Sequence, residues 1–370
     1  MGGPVSGHGA GGRAYPDAAL PCNPNVVEGQ IAGGAVQGIG GALYEHCAYD
    51  EDGNPLTTTF KDYLLPTTAE VPTLEYGHPE PPGSFEYHVP TMLEEAVALL
   101  ADLGEDAKAI AGGQSLVPML VRRLAVLGHL VDLRRVPGLR GIERRNGSLW
   151  IGAGTTQAAI QRSGEVAGAV PLLARATPLI GHFRIRSRGT IGGSLAHADA
   201  AAEYPAVALA LDARLETFSP RGRRTIPATR FFTGLWSTDL AEDELLTGIT
   251  FPVRSARSGF AVEEFARRYA DFALAGAAVA VELDEDARIR RCGIGLFGLG
   301  PTARRAPAAE AAATGGKAAA IDAADVGRTA MSELASVPSD LHGSAAYRTR
   351  VGAVMVARAW QRAVEEAKGD

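Results

Sequence analysis

Two short stretches carry the residue types from which a phosphate site is made: Lys108 to Leu120, KAIAGGQSLVPML, and Arg188 to Leu195, RGTIGGSL. In each, a brief apolar run leads into two consecutive glycines with a hydroxyl residue close behind, Ser115 after Gln114 in the first and Ser194 in the second. Paired glycines reach φ > 0 and, lacking Cβ atoms, let backbone N–H groups come close to a ligand. The N–H groups of Gly112, Gly113 and Gln114, and those of Gly192, Gly193 and Ser194, are candidates to hold one phosphate oxygen per turn. The hydroxyls of Ser115, Thr190 and Ser194 would add donors. Two such turns facing each other would hold the two negative charges of a dinucleotide pyrophosphate without a lysine. One Gly-Gly turn says little, because most merely turn the chain. On pattern alone the pair fits a ligand cradle and two plain turns equally.

Two other glycine patterns compete. Gly293-Ile-Gly295-Leu-Phe-Gly298 matches the dinucleotide fingerprint, which must open a helix whose N-terminus meets the pyrophosphate. Here it runs into GLGPTARRAP, where Pro301 argues for a loop, so the segment reads as a glycine-rich strand. Gly152-Ala-Gly154-Thr-Thr-Gln157 has Gln where the helix-packing glycine belongs. Neither is taken as a cofactor site.

The remaining chemistry is bounded by composition. A formal charge of −6 argues against general nucleic-acid binding, so an anionic ligand must rely on local donors. Cys22, Cys47 and Cys292 are scattered and form no C-x-x-C, too few for an iron–sulfur cluster held by thiolates within this chain. No metal ligand set is read. No Ser-His-Asp arrangement or catalytic dyad is read either. No apolar run approaches the ~18 residues of a membrane span, and the N-terminus lacks a signal-peptide pattern, so a cytoplasmic protein is expected. At 370 residues the chain has room for two or three domains.

Periodicity supplies the elements that must position the two turns. Thr91 is expected to cap a helix from Met92 to Leu103, with Glu94 completing a capping box. Strands are expected at Lys108 to Ala111, Leu130 to Leu133 and Leu149 to Ala153. Helices are expected at Leu116 to Leu124, Thr156 to Arg162, Val170 to Ile180 and Ala200 to Leu211. Arg184, Arg186 and Arg188 alternate as on a strand face before the second turn and read as a solvated charged face. Leu215 to Phe218, Arg224 to Ile226 and Leu246 to Phe251 suggest a mostly antiparallel sheet. Leu274 to Leu283 and Ile289 to Leu296 bracket Asp284-Glu285-Asp286 as a hairpin. Ser344 is expected to cap a last helix that buries Val356, Trp360 and Val364. Ahead of all this, residues 1–84 begin with a Gly-rich, disordered opening. A glycine-heavy helix or loop–helix, VVEGQIAGGAVQGIGGALYE, follows, then a turn at YDEDG and a PEPPG linker.

The stretches AIAGGQSLVPML, LVDLRRVPGLRGI, GTIGGSLAHADAAAEYPA, RRYADFALAGAAVAV and DLHGSAAYR together resemble the FAD-binding medium subunit of the xanthine dehydrogenase and aerobic carbon monoxide dehydrogenase family. The resemblance spans about Phe85 to Ala367. It implies an α+β fold: a two-subdomain FAD-binding domain of the vanillyl-alcohol-oxidase (PCMH) type at 85–256, divided at about 140. A C-terminal α+β domain of the CO dehydrogenase flavoprotein type, three helices on an antiparallel sheet, would occupy 257–370. It also implies FAD held by Ala111, Gly112, Gly113, Gln114, Ser115 and Leu116 in the first loop. Thr190, Ile191, Gly192, Gly193 and Ser194 would form the second. Glu203 is the implied acidic contact to ribityl or ribose hydroxyls, with Asp199 a weaker candidate, and Leu246 an apolar backbone contact near the flavin ring. Arg267, Arg268, Tyr269 and Asp271 match the family on the flavin side and read equally as structural ion pairs. His197 reads as a helix-start histidine bonded to backbone. No catalytic side chain is implied.

The implied role is electron relay, in a heterotrimer or dimer of heterotrimers. A molybdopterin-binding large subunit would oxidise substrate, a small subunit with [2Fe-2S] clusters would pass electrons on, and FAD here would deliver them to a quinone or NAD, in the cytoplasm or peripherally at the inner face of the membrane. A stand-alone flavin reductase or oxidase and an assembly subunit that has lost FAD are the alternatives. VVEGQIAGGAVQGIGGALYE and FKDYLLPTTAEV resemble instead the C-terminal part of the molybdopterin-binding large subunit, without the stretch that supplies its glutamate beside molybdenum. Residues 1–84 thus read as a fusion remnant or a misjoined frame rather than a working molybdenum site.

Overall fold

The computed structural model describes residues 24–59, 62–63, 65–67, 71, 74 and 85–369. The Gly-rich opening, Cys22 and the PEPPG linker lie outside the described residues. The chain divides into two compact units, Met1–Ser84 with Met119–Ala125, and Phe85–Pro118 with Val126–Asp370.

In the first unit, the glycine-heavy stretch is a helix, α1 (Pro24–Leu43). A Cβ on Gly29, Gly33, Gly34, Gly38 or Gly41 would meet nothing within 4 Å, whereas one on Gly40 would lie 2.9 Å from the Pro66 ring. Only one glycine of the helix therefore serves close packing here. The YDEDG turn forms as expected: Asp50 Oδ1 accepts from the backbone N–H groups of Asp52 and Asn54.

The second unit opens with β1 (Glu86–His88), α2 (Leu93–Leu103), β2 (Ala107–Ile110), the first half of α3 (Leu116–Val121), whose last three residues are counted with the first unit, and β3 (His129–Asp132). Its strands form a parallel sheet in the order β1-β3-β2. Ala96, Val97 and Leu100, one face of α2 by their spacing, pack against Ala107, Val131, Val136 and Leu139. The expected capping box is shifted. The helix starts one residue late and Met92 caps it without a side-chain bond, while Glu95, rather than Glu94, accepts from the Thr91 N–H.

Next come β4 (Ile142–Arg145), β5 (Ser148–Gly152), α4 (Gln157–Arg162), α5 (Gly164–Ala169), α6 (Pro171–Ala176), α7 (Phe183–Arg188), α8 (Ile191–His197) and α9 (Glu203–Ala210). Then follow β6 (Arg214–Ser219), β7 (Gly222–Pro227), α10 (Ala228–Phe231), β8 (Phe232–Gly234), β9 (Ser237–Thr238) and β10 (Leu245–Pro252). Five of these strands make an antiparallel sheet in the order β4-β5-β10-β6-β7. Two expectations fail just before the second glycine pair. The alternating arginines lie on the helix α7, not a strand, and the glycines follow no strand at all. On a helix, alternate residues diverge around the axis, so Arg186 is buried. It donates to the carbonyls of Ile180 (2.8 Å) and Gly181 (2.5 Å) and to Gln161 Oε1.

The chain ends with β11 (Ser258–Phe265), β12 (Ala275–Leu283), β13 (Ile289–Phe297), β14 (Arg304–Arg305), α11 (Pro307–Ala313), α12 (Ala323–Ser332) and α13 (Ala345–Lys368). The four strands are antiparallel in chain order, with the DED hairpin joining β12 to β13. Ser344 Oγ accepts from the Tyr347 N–H as N-cap of α13, and Val356, Trp360 and Val364 are in the core beneath it. The DLHGSAAYR stretch is structural: Asp340 takes both Arg348 Nη2 contacts, at 2.7 and 2.9 Å, while buried Arg348 also donates to the Leu274 carbonyl. No helix among the described residues is long and apolar enough to cross a membrane.

The G-x-G-x-x-G stretch lies in β13 and its end, as read from Pro301. α9, buried along its whole length, crosses that strand, and a Cβ on Gly293 or Gly295 would overlap the carbonyl oxygens of Ala210 or Ala206. These glycines let a helix backbone lie directly on a strand. Gly295→Ala forces two backbones apart, so the urea midpoint should fall by a margin equivalent to about 1–3 kcal/mol. An unchanged midpoint would contradict this packing role.

Candidate functional site

The first glycine pair sits where β2 ends and α3 begins. Gly113 takes φ +72°, and its carbonyl accepts from the Val117 N–H to start the helix. The Gln114 side chain folds back to donate to the Gly112 carbonyl at 3.1 Å. The N–H groups of Gly112, Gly113, Gln114 and Ser115 have no acceptor among the described residues. Four consecutive donors are thus left for a ligand or water on a partly exposed turn.

The second pair is built differently. Thr190 is the N-cap of α8, and Gly192 and Gly193 lie in its first turn. Ile191 N–H donates to the Thr155 carbonyl (3.0 Å) and Gly192 N–H to the Ala153 carbonyl (2.8 Å). Gly193 N–H is taken by Thr190 Oγ1 (3.0 Å) and Ser194 N–H by the Thr190 carbonyl (3.1 Å). The expectation that the Gly192, Gly193 and Ser194 amides grip a phosphate is therefore corrected: helix capping and the end of β5 already use them. What this motif can still offer is hydroxyl protons, from Ser194 Oγ and from Thr190 Oγ1, which only accepts internally.

The glycines of the second motif serve packing. A Cβ on Gly192 would lie 2.5 Å from the Ala153 Cβ and 2.7 Å from its carbonyl oxygen. Gly112 does the same for the junction of the two motifs: a Cβ there would overlap the Arg188 carbonyl oxygen and lie 2.8 Å from the Gly189 Cα. A Cβ on Gly193 would stand 3.9 Å from that of Ala111. The two stretches, some 80 residues apart in sequence, are in direct contact.

Acidic residues flank this junction. Glu203 is the first residue of α9 and is buried; burial pushes its carboxyl up to about 8, and the nearby charges of Glu264 and Asp199 act in the same direction. Glu264, on β11, is pushed by burial up to about 7, and its Oε2 is buried without a partner among the described residues. At neutral pH Glu203 therefore keeps its proton and presents a neutral carboxyl rather than a charge that would repel an anion. Asp199 Oδ1 accepts from the Ala201 N–H (2.8 Å), and its Oδ2 is 3.9 Å from His197 Nε2. Burial lowers the His197 pKa against the pull of Asp199, and its ring stacks at 6.4 Å and 17° on Trp236. That stacking was not expected from the sequence.

Leu246 is buried on β10 beside a bulge between Leu246 and Gly248. The next residue, Thr247, gives its carbonyl to the Ala153 N–H, so β10, β5 and the second motif are joined by consecutive backbone bonds. Leu116 begins α3. Arg267, Arg268, Tyr269 and Asp271 lie in an exposed loop, with no ion pair from either arginine among the described residues. Sequence reasoning missed Glu264, Ala153 and Thr155. Nothing local marks Glu264, which stands beside Glu263 in a run that does not alternate, and nothing local signals that the carbonyls of Ala153 and Thr155 receive the second motif.

Three family profiles match the chain: the FAD binding domain in molybdopterin dehydrogenase at residues 83–254, the CO dehydrogenase flavoprotein C-terminal domain at 260–363, and a molybdopterin cofactor-binding domain at 13–72. The chain is 42% identical over 287 residues to the 6-hydroxypseudooxynicotine dehydrogenase complex subunit alpha of Paenarthrobacter nicotinovorans, covering 78% of this chain and 97% of that one. It is 39% identical over 278 residues to the carbon monoxide dehydrogenase medium chain of Hydrogenophaga pseudoflava, covering 75% and 96%. Among solved structures, the cyanide-inactivated Cu,Mo-CO dehydrogenase matches with a TM-score of 0.74 at 37% identity, over 77% of this chain and 99% of that one. Quinoline 2-oxidoreductase from Pseudomonas putida 86 matches at 0.72 and 36% identity, over 77% and 98%. Both resemblances read from the sequence are thereby supported, the α+β flavoprotein fold over most of the chain and the short large-subunit fragment before it. The chain belongs to the FAD-binding medium-subunit family of the xanthine dehydrogenase and carbon monoxide dehydrogenase type, an oxidoreductase component that carries an FAD-binding domain.

Proposed function

We propose that this chain is the electron-transfer subunit of a molybdenum hydroxylase, receiving electrons from a [2Fe-2S] partner subunit and passing them to a quinone or NAD. A molybdopterin-binding large subunit would complete a heterotrimer, or a dimer of heterotrimers. The observation that carries the reading is the junction itself: four unpaired amides on one motif, which is in direct contact with a second motif that bears two hydroxyls. Bound FAD would supply a redox centre able to exchange electrons with both a one-electron cluster and a two-electron acceptor. The protein's own part is to bind and orient it. The amides of Gly112 to Ser115 would hold the pyrophosphate, with Thr190 and Ser194 donating their hydroxyl protons to it. Ala111, Leu116 and Gly193 would shape the surface on which it lies, with buried Ile191 and Gly192 holding the second loop in place from beneath. Glu203, neutral at its buried position, is suited to bond ribityl or ribose hydroxyls, with Asp199 beside it, and Leu246 would approach the ring. In this reading residues 85–256 form the flavin domain and 257–370 support it. Exposed Phe183, Trp236, Tyr269 and Phe272 are apolar contacts of the kind that partner chains cover.

Flavin affinity tests the cradle. Ser115 is exposed, so its replacement leaves the packing intact. Ser115→Asp sets a negative charge among the four donors and should weaken FAD binding by tenfold or more, while Ser115→Ala changes it by less than about threefold. Gly112→Asp and Gly193→Asp should both yield flavin-free protein. A folded Ser115→Asp protein with full FAD affinity would overturn the assignment of the pyrophosphate to this loop.

The buried carboxyl makes a separate, pH-resolved prediction for the flavin-free chain. Because the folded pKa of Glu203 lies above its unfolded value of 4.5, the folded state holds the extra proton between about 4.5 and 8. Its contribution is complete below the unfolded pKa and is lost as pH rises through about 8. Glu203→Gln should therefore lose less urea stability than the parent between about pH 6 and about pH 9. Equal losses in the two proteins would show that Glu203 is already ionised in the fold.

A further inference from the structure

Away from the glycine junction, at the opposite end of the small parallel sheet, three metal-ligating side chains converge. Glu86 and His88 alternate along β1 and so share one face of the sheet. Glu86 pairs in register with His129, the first residue of β3, while the first glycine loop leaves β2 from the other end of the strands. His88 Nε2 is 3.1 Å from His129 Nδ1. Glu86 Oε2 is 3.4 Å from His129 Nδ1 and 3.8 Å from His88 Nε2. In a tetrahedral zinc site, metal–nitrogen and metal–oxygen bonds of about 2.0–2.2 Å place neighbouring donors about 3.3 Å apart. Two sides of the triangle match that spacing to within about 0.2 Å and the third, from Glu86 to His88, is about half an ångström longer.

A second carboxylate stands behind the ligands. Asp106 Oδ2 is 3.9 Å from the other nitrogen of His129, Nε2, on the side where a proton would sit once a cation takes the Nδ1 lone pair. Asp106 is itself held: its Oδ1 accepts from the Gly128 N–H at 2.7 Å, and a Cβ at position 128 would overlap the carboxylate. His88 and His129 are a quarter and a fifth exposed, and Glu86 is largely open, so an ion could enter and keep a water as fourth ligand.

We propose that Glu86, His88 and His129 bind one divalent transition-metal ion of the zinc type, with Asp106 as the positioning carboxylate. Without metal, the two imidazoles share a hydrogen bond; with metal, His88 moves its proton to Nδ1 and both lone pairs face the cation. The ion would clip the entering strand β1 to β3, independently of flavin.

Equilibrium dialysis of the full-length flavoprotein against Zn²⁺, with metal and FAD both quantified, tests this. One Zn²⁺ per chain is expected. Removal of an outer carboxylate through Asp106→Asn should weaken binding about 10- to 100-fold. His88→Gln and His129→Gln should weaken it more, with FAD content unchanged. Glu86→Gln alters an exposed side chain and should also lower affinity, which keeps the test sound if a histidine variant folds poorly. No binding up to millimolar Zn²⁺, or stoichiometric binding that survives both Glu86→Gln and His129→Gln, would overturn the proposal.

Discussion

The contact between Gly112 and the Arg188–Gly189 peptide is the constraint on which the proposed flavin site depends. Two chain segments from different parts of the sequence meet there backbone to backbone, with no space for a side chain on the first. That contact brings the second motif, which bears the Thr190 and Ser194 hydroxyls, against the loop whose amides stay open. The surrounding architecture secures each side of the joint. β2 and β3 fix the first loop, while the carbonyls of Ala153 and Thr155 fix the second through the Gly192 and Ile191 N–H groups.

The two motifs look alike in sequence but divide the work. The first leaves its amides free and takes a left-handed residue at Gly113 to do so. The second spends its amides on a capped helix and on β5. The glycines there answer a packing need, as do Gly293 and Gly295 under α9. Gly-Gly is therefore a signal of close backbone approach; whether the approaching partner is a ligand or another strand depends on which N–H groups stay unpaired. The electrostatics follow the same economy. In the proposed site a chain of net negative charge would receive an anionic cofactor through backbone amides, and burial favours the neutral form of Glu203.

Much of this was legible in the residues. The periodic elements fell within a few residues of their expected bounds, the glycine-rich strand was recognised from Pro301, and the α13 stripe proved to be core. Both resemblances were carried by contiguous stretches, and contiguous signals survive without knowledge of the fold. The failures share a physical cause. α7 was read as a strand because arginines two apart resemble a pleated face, yet Arg186 is buried by carbonyls that come from the preceding turn. The fate of the second motif's amides depends on Ala153 and Thr155, more than 30 positions earlier, and no local pattern reports such a partner. Glu86 and His129 likewise become neighbours only through the β1–β3 pairing.

Hydrogen exchange resolved to single amides, with and without FAD, addresses the central claim most directly. The account predicts that Gly112, Gly113, Gln114 and Ser115 exchange rapidly in the flavin-free chain and slow by at least an order of magnitude when FAD is added. The amides of Ile191, Gly192 and Gly193 should be protected in both states. Slowing confined to the second motif, with the first loop still exchanging freely under saturating FAD, would contradict it.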